Sequence, residues 1–449
     1  MPKTGHFHFA LTLQNFALKN RIVYVIFCIL KNNFLLIKII YFKERNLRIR
    51  FMRKYPVRFL PAVLLAGLLL SAGCSDSGNR PYSGQHLLQF EEFQSIPTNG
   101  ARDWRFFTIG NDSFLVVANN FNGQTPNIDS KIYRWDGTKF VEFQTIPTNW
   151  ATQWEFFTVA NDSFLAVANN NMGGGIFDID SKIYRWDGTK FVEFQAILTH
   201  GASGWKFFTM GGDCYLAVAN NRSGTANFTI DSMIYKWDGE KFVEFQAIST
   251  NGALRWEFFT IDGDSFLAVA NYSTDFTTNF NIDSKIYKWD GSKFDEYQSI
   301  PTNGAHDWNF FTIGSVLYLA VANLHSGPYQ TGLEIDSKIY RWDGAKFIEF
   351  QSISTSGAVG WGFASHGPDS FLAVANWKND AGSYLVDSKI YSWDGSRFVE
   401  FQSIPMNGAS DCEFFIIGSD LYLAIANVGG GTAGPNTESK IYRQKRRLF

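Results

Sequence analysis

Three sequence markers return seven times in the same order along this 449-residue chain, and no other feature narrows the fold as much. Tyr-Lys/Arg-Trp-Asp-Gly begins at Tyr133, Tyr184, Tyr235, Tyr287 and Tyr340, with a Ser variant at Tyr391 and a truncated copy at Tyr442. A Phe/Tyr-Gln pair follows Glu92, Glu142, Glu193, Glu244, Glu296, Glu349 and Glu400. A short apolar run ends in Ala-Asn at Asn119, Asn169, Asn220, Asn271, Asn323, Asn376 and Asn427. Each unit, of about 50 residues, predicts four strands, as at residues 154–159, 163–169, 181–186 and 190–195. Asp-Gly separates the last two, and Gly there accepts the positive φ that a tight hairpin demands. Four short antiparallel strands per repeat make one blade of a β-propeller. The 44 Phe, 18 Tyr and 14 Trp suit such strands.

The chain ends predict ring closure. One strand of the fourth type, Phe90-Glu91-Glu92-Phe93-Gln94, precedes any first-type strand, and the chain leaves after a third-type strand with no fourth behind it. The orphan strand completes the last blade, giving an all-β, seven-bladed propeller over residues 88–443 in which no blade is left a strand short. Adjacent rings such as Phe156-Phe157 place one ring on each face of a strand, as expected of a sheet covered on both sides.

Residues 1–87 differ. A stretch from Ile22 to Tyr41 is apolar but broken by Lys31, Asn32, Asn33 and Lys38, which makes a poor membrane span, and residues 1–51 read as an upstream extension before a start at Met52. A basic start at Met52, an apolar run over 59–70 and Ser71-Ala72-Gly73-Cys74 form an export signal over 52–73. Cys74 after small residues resembles the bacterial lipobox, in which the cysteine is lipidated. Residues 74–87 are then a tether, 444–449 a basic tail, and the propeller is exported and held on an outer membrane or cell surface. Beyond residue 73 the chain holds 28 Lys/Arg against 41 Asp/Glu, near −13, which argues against a nucleic-acid partner. Cys214 and Cys412 fall in distant repeats, so no disulfide joins them.

The quoted motifs resemble the epilepsy-associated repeat, or EPTP repeat: Trp-Glu-Phe-Phe at Trp154, Phe-Leu-Ala-Val-Ala-Asn at Phe164, Ser-Lys-Ile-Tyr-Arg-Trp-Asp-Gly at Ser181, Phe-Gln-x-Ile at Phe143 and Gly-Ala at Gly201. The resemblance implies a seven-bladed propeller that binds partner proteins outside the cell without catalysis.

No catalytic constellation emerges. His86, His200, His306, His325 and His366 share no spacing to Cys or carboxylates that would suit zinc. The repeated Asp129, Asp180, Asp231, Asp283, Asp336, Asp387 and Glu438 read as structural, bonding turn amides. Before the first strands stand Asp103, Gln153, Gly204, Arg255, Asp307, Gly360 and Asp411. Asp103 and Asp411 belong to neighbouring blades, so two readings stay open: a channel calcium held by these carboxylates, or turn capping and pairing with Arg102 or Arg255. No other cofactor is expected.

Spacing locates the binding face. The first-strand marker (Trp104, and Cys412 in the last copy) lies 15 residues before the Ala-Asn asparagine in every unit. The third-strand Tyr lies 21 residues before the next first-strand marker. Only the step from that asparagine to the repeated acid varies, from 10 to 13 residues. All length variation therefore falls in loops on one rim. Those loops carry Phe121, Phe177, Phe228, Tyr272, Phe276, Phe280, Tyr329, Trp377 and Tyr384, and on the same rim Trp150 replaces a Gly of the other six copies. The expectation is a monomer that binds an extracellular or periplasmic protein, or a glycan, through these rings. The alternative is a glycan hydrolase with a single site in the variable loops.

Overall fold

The computed structural model describes residues 22–31, 34–43, 46–51, 55–56, 88–275, 277–328, 331–430 and 434–446. The chain divides into two units, Met1–Ser83 and Gly84–Phe449. In the first, β1 (Ile22–Lys31), β2 (Phe34–Lys43), β3 (Asn46–Phe51) and β4 (Tyr55–Pro56) form an antiparallel sheet in which β2 pairs with all three others. The apolar stretch after Ile22 is therefore strand, in keeping with its poor match to a membrane helix. Cys74 and nearly all of the export signal lie outside the described residues. No helix among the described residues is long and apolar enough to cross a membrane.

The second unit is a seven-bladed propeller. In blade one, β6 (Ala101–Ile109), β7 (Asp112–Asn119), β8 (Asn127–Trp135) and β9 (Phe140–Asn149) pair in chain order, and blades two to six repeat this arrangement. The seventh takes its outer strand from the other end of the chain: β5 (Leu88–Asn99) pairs with the last strand, Asn436–Arg446, from Asn99↔Asn436 to Leu88↔Arg446. The predicted clasp is present.

Repetition of the markers has a physical cause in each case. The glutamine clamps one blade to the next: Gln94 Nε2 donates to the Phe140 carbonyl at 2.8 Å, and the Phe140 N–H donates back to Gln94 Oε1 at 2.9 Å. The same two-bond clamp recurs from Gln144 to Phe191, Gln195 to Phe242, Gln246 to Phe294, Gln298 to Phe347 and Gln351 to Phe398. Gln402 closes the ring on Phe90. The asparagine locks the far end of the blade, where Asn169 Nδ2 donates to the Asp180 carbonyl and its Oδ1 accepts the N–H of Asn149 from the preceding blade. It is thus the backbone of the repeated acid that is used; its side chain is exposed, contrary to the expectation that these carboxylates bond turn amides. That task falls to the Asp-Gly aspartates: Asp136 Oδ1 accepts the N–H groups of Thr138 and Lys139, beside Gly137 at φ 102°.

Paired phenylalanines serve both faces, as predicted. Phe107 stacks on Phe156 of the next blade at 4.4 Å, while Phe106 stacks on Phe415 of the preceding one at 4.6 Å. Equivalent stacks run from Phe157 to Phe207, Phe208 to Phe258, Phe259 to Phe310 and Phe311 to Phe363. Blade six has Ala364 instead, and a Cβ on its Gly362 would lie 2.4 Å from the Cys412 carbonyl oxygen, so these two backbones approach closely. Phe90 and Phe414 fill that sector with Phe371. Each ring buried in this way contributes roughly 1.5–3 kcal/mol. Cys412 is buried and Cys214 partly so, each with a free thiol.

Candidate binding site at the channel mouth

First strands line the central channel, so residue type at each of their positions makes a ring. The layer predicted to surround the mouth lies one step inside it and holds the blades together. Asp103 accepts the N–H of Trp154 through Oδ2, Asp411 that of Trp104, and Asp307 that of Trp361, while Gln153 Oε1 accepts the N–H of Trp205. Asp103 is buried. Burial, and next the nearby Asp411 charge, pushes its carboxyl well above the usual range; burial likewise raises Asp411. Among the described residues no three His, Cys, Asp or Glu converge as a metal set. The inter-blade bonds give Asp103 and Asp411 a structural task that needs no cation. The Arg255 guanidinium instead lies along the mouth, donating to the carbonyls of Thr152 (3.1 Å), Leu254 (3.2 Å) and Ser203.

The mouth itself is ringed by Arg102, Thr152, Ser203, Leu254, His306, Val359 and Ser410, each one residue earlier. Sequence reasoning missed this layer. Its signal is the changing residue between an invariant Ala and the position before the Trp, since every copy differs except for the two serines. Two cavities share Arg102, Asn221, Leu254 and His306 and together form one basin. One, of about 230 Å³, adds Trp150, Asn170, Asn171, Arg222 and Arg255. The other, of about 210 Å³, adds Tyr272, Leu324, His325, Val359 and Trp377. The basin therefore has a cationic, amide-rich half and an apolar, aromatic half.

His306 donates from Nδ1 to the Val359 carbonyl at 2.7 Å, and burial, then the Arg255 and Arg102 charges, push its pKa down to about 3. It lines the basin as a neutral ring. His325 is also held neutral by burial; its Nδ1–H bonds the Gly327 carbonyl at 2.9 Å, so Nε2 accepts from the Tyr272 hydroxyl at 3.0 Å.

The loop aromatics divide. Phe177, Phe228 and Phe280 are buried, between 1% and 5% exposed, and cannot meet a partner as predicted. Their carbonyls accept the N–H of Gly201, Gly252 and Gly304. Pro126, Leu333, Tyr384 and Pro435 do the same in the other blades. All seven lie three residues before the repeated acid, so counting back from that acid would have exposed them as a structural position. Phe121 and Trp150 stack at 5.8 Å, and Trp377 meets Tyr384 edge-on at 5.6 Å with the Lys378 ammonium within 6 Å of both rings. These four and Tyr272 are partly exposed on the variable rim, and Trp150, Tyr272 and Trp377 border the basin. Phe276 and Tyr329 lie outside the described residues.

Fold and basin define a closed, seven-bladed propeller with one furnished face. The chain belongs to the EPTP domain family, which it matches over residues 89–136, 139–187, 190–238, 241–290, 293–343, 346–394 and 397–443. It is similar to the mouse thrombospondin-type laminin G domain and EAR repeat-containing protein, 39% identical over 285 residues, covering 59% of this chain and 40% of that protein. The human protein of the same name is 39% identical over 305 residues, 54% of this chain and 45% of that one. Leucine-rich repeat LGI family member 3 of Macaca fascicularis is 27% identical over 258 residues, 55% and 41% respectively. The chain spans less than half the length of these relatives. They are mammalian and lend no support to a bacterial setting.

Proposed function

We propose that this propeller is a non-catalytic module that binds a partner protein through the apolar half of its channel-mouth basin. The observation that carries this reading is the joining of Trp377, Tyr272, Leu254, Leu324 and Val359 in one concave wall on the only rim where loop length varies. Partly exposed Trp and Tyr in a pocket beside a cation are the usual anchors of an interface. No carboxylate lines this wall, and burial lowers both of its histidines, His306 to about 3, which supports the non-catalytic reading.

Affinity capture with the soluble propeller tests the reading. Trp377→Ala should weaken capture of the protein about tenfold or more, whereas Asp136→Ala and Asp238→Ala on the opposite rim leave it unchanged. Equal loss from both rims, or from neither, overturns the assignment.

Export and display by a lipid on Cys74 belong to the same proposal and rest on Ser71-Ala72-Gly73-Cys74 alone. Mass spectrometry of the mature N-terminus should find a lipidated Cys74; an unmodified terminus elsewhere removes the tether.

A further inference from the structure

The cationic half of the basin has a chemistry of its own. We propose that it binds a carboxylate-bearing sugar, with the pyranose ring against Trp150 and the carboxylate among Arg102, Arg222 and Arg255. This goes beyond the protein-binding reading and does not depend on it.

Charge is the first argument. Three arginines and no Asp or Glu line the 230 Å³ cavity, while the chain beyond residue 73 is near −13. A local reversal of sign against an acidic surface draws an anion to that spot. His306 adds no charge that would vary with pH near neutrality, because it stays neutral there.

The second is preorganisation. Arg255 is tied to three backbone carbonyls, and the Arg222 guanidinium sits 3.8 Å from the Phe177 ring centroid and 5.6 Å from that of Phe228. Asn170 and Asn221 donate from Nδ2 to the Gly201 and Gly252 carbonyls, which fixes each amide plane and turns its oxygen into a placed acceptor for a hydroxyl. Groups already held in position lose little entropy when a ligand arrives.

Trp150 supplies the third. It adopts φ 48°, in the left-handed region where the equivalent residues are Gly100, Gly201, Gly252, Gly304, Gly357 and Gly408. A side chain there costs about 1–2 kcal/mol that glycine avoids. Strain of this kind persists where the side chain has a task, and Trp150 places an indole at the edge of a polar cavity. Apart from Trp150 and Leu254 the lining is hydroxyl, amide, imidazole and guanidinium. That is a surface for a ring with one apolar face and many hydroxyls. A peptide carboxylate would use the arginines and leave the indole and amides idle. With a volume below the range of about 300–1,000 Å³ usual for drug-sized ligands, the cavity suits a single sugar residue.

The test is NMR titration of the propeller with methyl glucuronide and N-acetylneuraminic acid, with methyl glucoside and acetate as controls. The expected result is saturable binding of at least one acidic sugar with Kd of about 1 mM. Arg102→Gln should weaken it about tenfold, and Trp150→Gly, which restores the residue of the other copies, about fivefold. Trp377→Ala should leave it unchanged, which separates this site from the protein-binding wall. An unchanged cooperative melting transition shows that each variant folds. The proposal is overturned by no saturation at about 20 mM, by equal binding of methyl glucoside, by acetate binding as tightly as the sugars, or by indifference to both variants.

Discussion

Removal of residues 89–96 is expected to lower the melting temperature by more than about 15 °C and to produce aggregates. The deletion takes out most of the strand that completes blade seven from the other end of the chain. With it go the Gln402–Phe90 clamp and the Lys440–Glu92 ion pair at 2.7 Å. Phe90 and Ile96, 1% and 3% exposed, leave the core, and Phe90 alone contacts Phe371 at 5.4 Å, Phe414 at 5.8 Å and Phe401 at 6.4 Å. Truncating one such ring costs about 3–5 kcal/mol through lost transfer energy and an unfilled cavity. The third strand of blade seven would then present an unpaired edge that can pair with another copy. A milder variant, Phe90→Ala, should lower stability by about 3 kcal/mol without aggregation. Differential scanning calorimetry and light scattering read both, and a monomer with unchanged melting temperature would show that the ring does not depend on its clasp.

The second large effect is on pH dependence. Burial pushes the carboxyls of Asp307 and Glu413 up to about 7 and raises Asp103 and Asp411 as well. Arg105, within 3.7 Å of Glu155 and 3.6 Å of Glu413, and Lys206, 2.6 Å from Glu257, offset part of this negative charge. A carboxyl raised in the folded state holds its proton there after the unfolded chain has released it, so stability falls as pH climbs through roughly 4 to 7. The neutral His306 and His325 act in the opposite sense, because the unfolded chain takes up protons below about 6.5 that the fold refuses. The two effects compete in acid, and only the carboxyls remain above neutrality. The melting temperature should therefore drop by about 3 °C between pH 6.5 and 7.5, as the carboxyls near 7 ionise, and Asp307→Asn should flatten that slope. A melting temperature that holds or rises over this interval would overturn the account. Exposed turn aspartates do not interfere, since the hydrogen bonds they accept lower their titration, at Asp290 to about 2 through bonds from Lys293 and Ser292.

How much of this was legible in advance depends on the distance over which each feature is determined. Strand number and turn positions come from local chemistry, a period of two and an Asp-Gly, and seven repetitions remove the ambiguity that one copy would carry. The clasp was legible for the same reason, as a strand type out of place at each end. The loop aromatics were not. Phe177 and Phe121 are both rings in loops of the same rim, yet one is buried at 5% exposure while the other stacks on Trp150 in partial contact with solvent. Composition cannot separate them, because the difference lies in which carbonyl faces the next blade's glycine.

By itself, then, the sequence determined the blade count, the order of strands, the closing strand and the rim on which variation gathers, since these follow from short-range patterns repeated along the chain. Tertiary structure alone decided what meets across the axis. Arg102, Thr152, Ser203, Leu254, His306, Val359 and Ser410 come from seven different blades, and only closure of the ring brings them to one mouth. Arg255 reaches Thr152 across 103 residues of chain, and Trp104 reaches Asp411 across 307. Partners at such separations are selected by the geometry of the closed ring, and neither partner carries a local signal of the other.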